Sequence, residues 1–152
     1  IQSMNPFSPS AKILEVHETE QKGFQPLVTF QTWRVAMMTD LQSEPSEKFY
    51  RLQRHMKTDE VFILLQGKCI LFLADGEDPI EHQFAEDLKL FRVYNVKQGI
   101  WHSHILREDA KVIIVENADT SPSNSQYLQL SDSQRERFSF MAKELWGTLP
   151  SE

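Results

Sequence analysis

Cysteine occurs once in the 152 residues, at Cys69. A single thiol excludes an intrachain disulfide and any Cys-rich zinc site, and it fits a reducing compartment such as the cytoplasm. Its setting in KCILFLA marks it as a buried small hydrophobe rather than a nucleophile. Long apolar runs are lacking too. None approaches the ~20 residues of a membrane-spanning helix, so no membrane partner is expected. The opening IQSMNPFSPS is polar and proline-bearing, unlike a secretory signal. The sequence shows no βαβ alternation, glycine-rich phosphate loop, internal repeat or low-complexity tract. Positive charge is in deficit: 16 Lys and Arg face 22 Asp and Glu, a formal charge of −6. That balance argues against nucleic acid or an anionic membrane surface as a partner.

Apolar side chains are plentiful. They make up 40% of the chain and include ten Phe and three Trp, enough for one sizeable core. We read residues 1–152 as a single domain, with an irregular arm over 1–12 and β-structure over about 13–117. Ile13 to Val16 reads as a short strand. Trp33, Val35 and Met37 alternate with polar or small neighbours at the strand period. A loop is expected over Leu41 to Pro45. Lys48, Tyr50, Leu52 and Arg54 then alternate with Phe49, Arg51, Gln53 and His55, a strand with two chemically different faces. EVFILL and CILFLA read as a hairpin about a tight turn at Gln66-Gly67-Lys68, because Gly67 adopts positive φ cheaply. WHSHIL and KVIIVEN are further strands, the second buried, and DTSPSNS is a loop. Ser131 is an N-cap for a helix over about 132–146, with Phe138, Met141 and Leu145 at helical spacing. Short strands followed by one helix point to an all-β barrel or sandwich with a C-terminal α-helix.

The histidines are His17, His55, His82, His102 and His104. His17 and His82 lie in charged surroundings, VHETE and IEHQF, and read as surface residues. Met37 and Met38 read as barrel filling, since no thioether-rich cluster accompanies them. On a strand His55 shares a face with Gln53, and His102 with His104. If the strands are neighbours, His55, Glu60 and His102 converge in the mouth of a barrel. Such a set suits zinc, iron, nickel or manganese as a divalent metal, or metal-free acid–base chemistry. Arg34 is either a surface arginine or a bidentate holder of a substrate carboxylate. Trp101 is either a pocket wall or core, and His104 either lines the pocket or faces solvent.

Gln53-Arg54-His55, then Glu60, then Gly67 six residues further on, resembles the first motif of the cupin superfamily, His-x-His-x3–4-Glu-x6-Gly. Lys97-Gln98-Gly99-Ile100-Trp101-His102 resembles its second, Pro-x-Gly-x2-His, with Lys97 in place of the proline. The resemblance implies a double-stranded β-helix, the cupin jelly-roll barrel. It also implies metal ligation by Gln53, His55, Glu60 and His102, where Gln53 exchanges the family's imidazole for a weaker amide oxygen. Cupins of this kind often pair as homodimers through outer strands. Arg54-His55, EVFILLQGK, FLADGEDP, LKLFRVYNVKQGIWHSHIL and VIIVENADTSPSN are further similar, in order, to the ureidoglycolate lyase family. In this chain Ile100-Trp101-His102-Ser103-His104 matches that family's late Val-Trp-His-His-Pro-like motif loosely: Ser103 stands in place of the second histidine, and the following proline is absent. This closer resemblance implies cleavage of ureidoglycolate to glyoxylate and urea. Glu60 or His102 would be the base, and His55 and Lys97 would hold the substrate carboxylate or donate a proton. The alternatives are a metal-dependent isomerase or oxygenase acting on a carbonyl compound or sugar, and a non-catalytic module that binds a small ligand.

Overall fold

The structure, a computed structural model, describes residues 5–40, 51–77 and 79–147. In chain order the elements are β1 (Gly23–Phe30), β2 (Trp33–Thr39), β3 (Arg51–His55), β4 (Glu60–Asp75), β5 (His82–Asp87), β6 (Val93–Val96), β7 (Trp101–Asn117), β8 (Ser125–Gln129) and α1 (Asp132–Trp146). The strand expected before Arg51 and the loop expected from Leu41 lie outside the described residues.

Two long strands organise the barrel. β4 and β7, 16 and 17 residues long, pair antiparallel from Val61↔Val115 to Ala74↔Trp101. Each half of this ribbon belongs to a different layer. The C-terminal half of β7 is flanked by β2 and then β1, and the first half of β4 by β6. The first half of β7 is flanked by β3 and then β8, and the second half of β4 by β5. The result is two layers sharing one bent ribbon, a jelly-roll barrel.

The bend replaces the hairpin expected at Gln66–Lys68. Gly67 sits inside β4 at φ +72°, with register shifts on either side of Gln66. Opposite it, Glu108 and Asp109 in β7 also hold positive φ. A glycine serves a bulge as readily as a turn. The partner strand decides between them: β7 runs alongside both halves of β4, so the chain turns a corner rather than reversing. For the same reason WHSHIL and KVIIVEN are one strand.

Three further expectations change. Ile13 to Val16 is not a strand: it belongs to an exposed stretch whose Ile13 N–H bonds back to Ser10 O. Ser125, read as the end of the DTSPSNS loop, instead opens SQYLQ, which forms β8 against β3 with Leu52↔Leu128 in register. In β2 the inward face carries Ala36 and Met38, both buried, while Trp33 is 42% exposed.

Apolar side chains divide into two clusters. Met38, Phe62, Leu71, Val112 and Ile114 fill the barrel interior. Leu52, Ile70, Phe72 and Trp101 lie on the outer face of one layer, covered by Phe138, Ala142 and Trp146 of α1. This explains the unbroken apolar run at Cys69–Phe72: one face points into the barrel and the other lies under the helix. The helix buries Phe138, Ala142 and Trp146, spaced by four, while Leu145 is 44% exposed. Ser131 caps it as expected, accepting from the Gln134 N–H while the Gln134 side chain accepts from the Ser131 N–H. Replacing Ser131 with Ala is expected to cost about 1 kcal/mol in urea denaturation. No helix among the described residues is long and apolar enough to cross a membrane.

Candidate functional site

Three strand ends meet at one end of the barrel. Alternation along β3 sends Leu52 to the outer cluster and turns Gln53 and His55 inward. Glu60 opens β4, and His102 is the second residue of β7, in register with Gln53. His55, Glu60 and His102 are all buried. Glu60 Oε1 lies 2.9 Å from His102 Nε2 and 3.5 Å from His55 Nε2, and the two imidazole rings meet edge-on at 5.1 Å.

The second ring nitrogens decide what faces the carboxylate. His102 Nδ1 is 3.0 Å from the Ile100 carbonyl oxygen, which can only accept, so Nδ1 carries a proton. In the neutral ring Nε2 then presents a lone pair to Glu60 Oε1. Neither atom has an aligned hydrogen bond, although they are 2.9 Å apart. Two such atoms face each other comfortably only with a proton or a cation between them. His55 Nδ1 is 2.8 Å from Ser125 Oγ, which holds the ring in place and, as a hydroxyl, can serve it as donor or acceptor.

The donor set fits a divalent transition metal. Three ligand atoms lie within 4.8 Å of one another in a buried group. Metal–nitrogen and metal–oxygen bonds of about 2.0–2.2 Å place adjacent ligand atoms roughly 3 Å apart, close to the separations seen at Glu60. Gln53 lines the cavity beside His55 and Glu60.

A cavity of about 260 Å³ opens beside this group. Its polar wall comprises Arg34, Gln53, His55, Glu60, His104 and Glu116, and Met38, Phe62 and Ile114 make an apolar side. Glu116 was missed in the sequence, where KVIIVEN reads as a buried strand. The signal was present: Val112, Ile114 and Glu116 share one parity, so a carboxylate occupies an inward position of an apolar strand. Across the β2–β7 pair it meets Arg34, which donates from Nε at 3.2 Å and Nη2 at 2.6 Å to Glu116 Oε1. Arg34 also donates to the carbonyls of Ala118 and Thr120, both at 3.2 Å. It is therefore a cavity residue and not a surface arginine.

The electrostatics separate the two carboxyls. Burial alone would raise Glu60, but the close imidazoles of His102 and His55 outweigh it and hold the group well below the usual carboxylate range. Glu116 is pushed up to about 7 by burial and by the neighbouring Glu60, against the opposing pull of Arg34. Burial would lower His55, yet the adjacent Glu60 carboxylate raises it overall.

Two expected site residues, Trp101 and Lys97, are brought neither to the cavity nor to the histidine–carboxylate group, and His102 belongs to that group without lining the cavity. Trp101 belongs to the outer cluster under α1, with Nε1 donating to Gly76 O at 3.2 Å and Arg54 stacked 4.3 Å over its ring. One step along β7 reverses the face, so Trp101 points away where His102 points in. Lys97 is exposed, with Nζ 3.4 Å from Asp59. Hydrogen bonds from Asn95 and the Gln98 N–H hold Asp59 below its ordinary value. His17 and His82 are exposed, as expected, and Cys69 is fully buried.

No protein-family model matches the sequence, and no curated protein matches it. Solved structures do. A Streptomyces Pac13 variant with uridine superposes with a TM-score of 0.50 at 10% identity, over 86% of this chain and 97% of that one. Oxalate decarboxylase from Bacillus subtilis gives 0.50 at 19% identity, over 88% of this chain and 35% of that one. A cupin-2 domain protein from Shewanella frigidimarina gives 0.45 at 16% identity, over 70% of this chain and 87% of that one. The protein has the cupin fold: an antiparallel jelly-roll barrel with one C-terminal helix.

Proposed function

We propose that this cupin-fold protein is a small-molecule enzyme that works at the His55–Glu60–His102 group and cleaves a small ureido hydroxy acid of the ureidoglycolate type. One observation carries the choice of site: a buried carboxylate oxygen and an imidazole nitrogen 2.9 Å apart without an aligned hydrogen bond. The cavity, about 260 Å³, lies below the ~300–1,000 Å³ of pockets for drug-sized ligands, which favours a compact polar substrate.

Cleavage of ureidoglycolate breaks the bond between the carbinol carbon and the urea nitrogen. The hydroxyl loses its proton as the carbonyl of glyoxylate forms, and the departing nitrogen gains one to give urea. His55, Glu60 and His102, with Gln53 beside them, would hold a divalent zinc, iron, nickel or manganese ion. When bound, such an ion supplies Lewis acidity that makes a substrate hydroxyl easier to deprotonate. The apolar side at Met38, Phe62 and Ile114 limits water around the reacting carbon. A metal-free reading is favoured by the ionised Glu60 beside the raised His55. There Glu60 takes the hydroxyl proton and the His55 imidazolium returns one to the urea nitrogen.

Elemental analysis and a glyoxylate assay separate these readings. Purified protein is expected to carry about one transition metal per chain, and His102→Ala to lose at least about 100-fold in metal affinity. Glyoxylate release from ureidoglycolate should stop on chelation and return with metal. Release that survives chelation, in protein that takes up none of the four metals, establishes the acid–base reading. No glyoxylate under either condition overturns the choice of substrate.

A further inference from the structure

The two layers of the barrel differ on their outer faces. One lies under α1. The other consists of β1, β2, the second half of β7, the first half of β4 and β6, and among the described residues no helix covers it. Alternation sends Phe62, Leu64, Val112 and Ile114 into the barrel, so their neighbours along the strands point out. The strand register aligns those neighbours in rows. Val28, Val35, Val115 and Val61 form one row. Met37, Ile113, Ile63 and Val93 form the next. Phe30 and Trp33 pair beyond the first row, with ring centroids 6.0 Å apart. Phe30, Trp33 and Val93 are 57%, 42% and 66% exposed, and the other members of the rows are half-buried. A sheet face turned to water is ordinarily polar; this one is β-branched and aromatic.

Charge and area indicate what fits there. The chain is 25% charged with a formal charge of −6. Yet the only charged side chain at an outward position of these strand segments is Lys111. Two acidic copies of the chain repel over most of their surface, but here they can meet with no carboxylates opposed. Five strands ~4.8 Å apart, carrying three rows ~6.8 Å apart, make a footprint of roughly 500 Å². A standard interface takes about 800 Å² from each partner. The remainder is present in the arm that leads into β1, the edge strand of the same layer. Phe7, Ile13, Leu14 and Val16 of the arm are 55–89% exposed. Its backbone hydrogen bonds, from Ser8 N to Asn5 O and from Ile13 N to Ser10 O, stay within the arm.

We propose that this sheet face and the N-terminal arm form a two-fold interface between two copies of the chain. The two sheets pack face to face, and each arm lies against the partner subunit. Stacked sheets sit ~10 Å apart with their side chains interdigitated, as the two inner faces of a sandwich do. A two-fold contact uses the same patch on both sides and must be self-complementary. Uncharged rows of Val and Ile meet that condition.

Sedimentation velocity on the purified full chain, from about 1 to about 100 µM, tests this. The wild type is expected to sediment at twice 17.8 kDa, with a dissociation constant of about 1 µM or tighter. Trp33→Glu and Val93→Glu each put a carboxylate at a position already open to water, and circular dichroism checks that both stay folded. Each should raise the dissociation constant at least about 30-fold, because the new charge is buried unpaired in the dimer. Ile13→Ser combined with Val16→Ser should raise it about 10-fold. Phe140 is 53% exposed on α1, away from this face, and Phe140→Glu should change the constant by less than about twofold. A wild type still monomeric at the highest concentration overturns the proposal, whether its arm lies back on its own sheet or a different partner covers the face. A dimer that both folded face variants leave intact, or that Phe140→Glu dissociates, overturns it as well. An unchanged constant in the arm variant overturns the arm's share of the contact.

Discussion

Gly67→Ala is expected to destabilise the protein by about 2–5 kcal/mol, whereas Gly99→Ala should cost about 1–2 kcal/mol. Both glycines have positive φ, +72° and +78°, so both substitutions carry the left-handed penalty of an L-residue. Their surroundings differ. A Cβ at Gly67 would lie 2.5 Å from Glu108 O and 2.7 Å from Ala110 Cα, while one at Gly99 meets nothing within 4 Å. The Gly67 contacts are backbone atoms of β7, which cannot swing aside as a flexible side chain would. Relief requires the β4–β7 ribbon to open at the corner where both layers join. Equilibrium urea denaturation of the two variants beside the wild type measures the difference. Equal losses would mean that the corner is soft and that Gly67 is needed only for its backbone angles.

Glu116→Gln should stabilise the chelator-treated protein at high pH and leave it nearly unchanged at low pH. The carboxyl moves from 4.5 to about 7 on folding. A group whose folded pKa lies above its unfolded value favours the native state fully below the unfolded value. That contribution fades as pH rises through the folded one. Wild-type stability should therefore decline relative to the Gln variant between about pH 4.5 and about pH 7. The full shift corresponds to at most about 3 kcal/mol. Glu60 contributes with the opposite sign, since its depressed pKa favours the native state above its unfolded value and loses that effect in acid. Its transition lies well below the window in question. Thermal melts at pH 5 and pH 8 suffice. A Gln advantage that does not grow with pH would show that Glu116 ionises like an exposed carboxyl and that no crowding by Glu60 acts on it.

The helix was legible in its span and its Ser131 cap, though its buried face proved to be Phe138, Ala142 and Trp146 and not Phe138, Met141 and Leu145. Ser131, Gln134 and the apolar spacing over Asp132–Trp146 are local signals, satisfied within four residues. The strands were legible for a related reason, since alternation and turn residues act locally. His55, Glu60 and His102 were recoverable because spacing along β3, β4 and β7 puts each near a strand end, and the likeness to the cupin motifs placed those ends together. Other features depended on contacts the local sequence does not contain. Whether Gly67 makes a turn or a corner was decided by β7, more than thirty residues later. Strand β8 has little apolar alternation of its own and exists because β3 offers an edge to pair with. Trp101 and His102 are adjacent, and both look suited to a pocket. The helix covering one face of that layer claimed the tryptophan for the core and left the histidine on the inner face beside Glu60. Glu116 and Arg34 are 82 positions apart and became a pair only through the β2–β7 register. The sequence by itself determined most of the elements and the all-β class, because those follow from periodicity along the chain, while the metal-fitting trio was brought together by the likeness to the cupin motifs. The tertiary structure alone decided which face of each strand is inside, and with it the second carboxylate, Glu116, beside Glu60. A strand buried on both sides shows no alternation from which the inner face could be read.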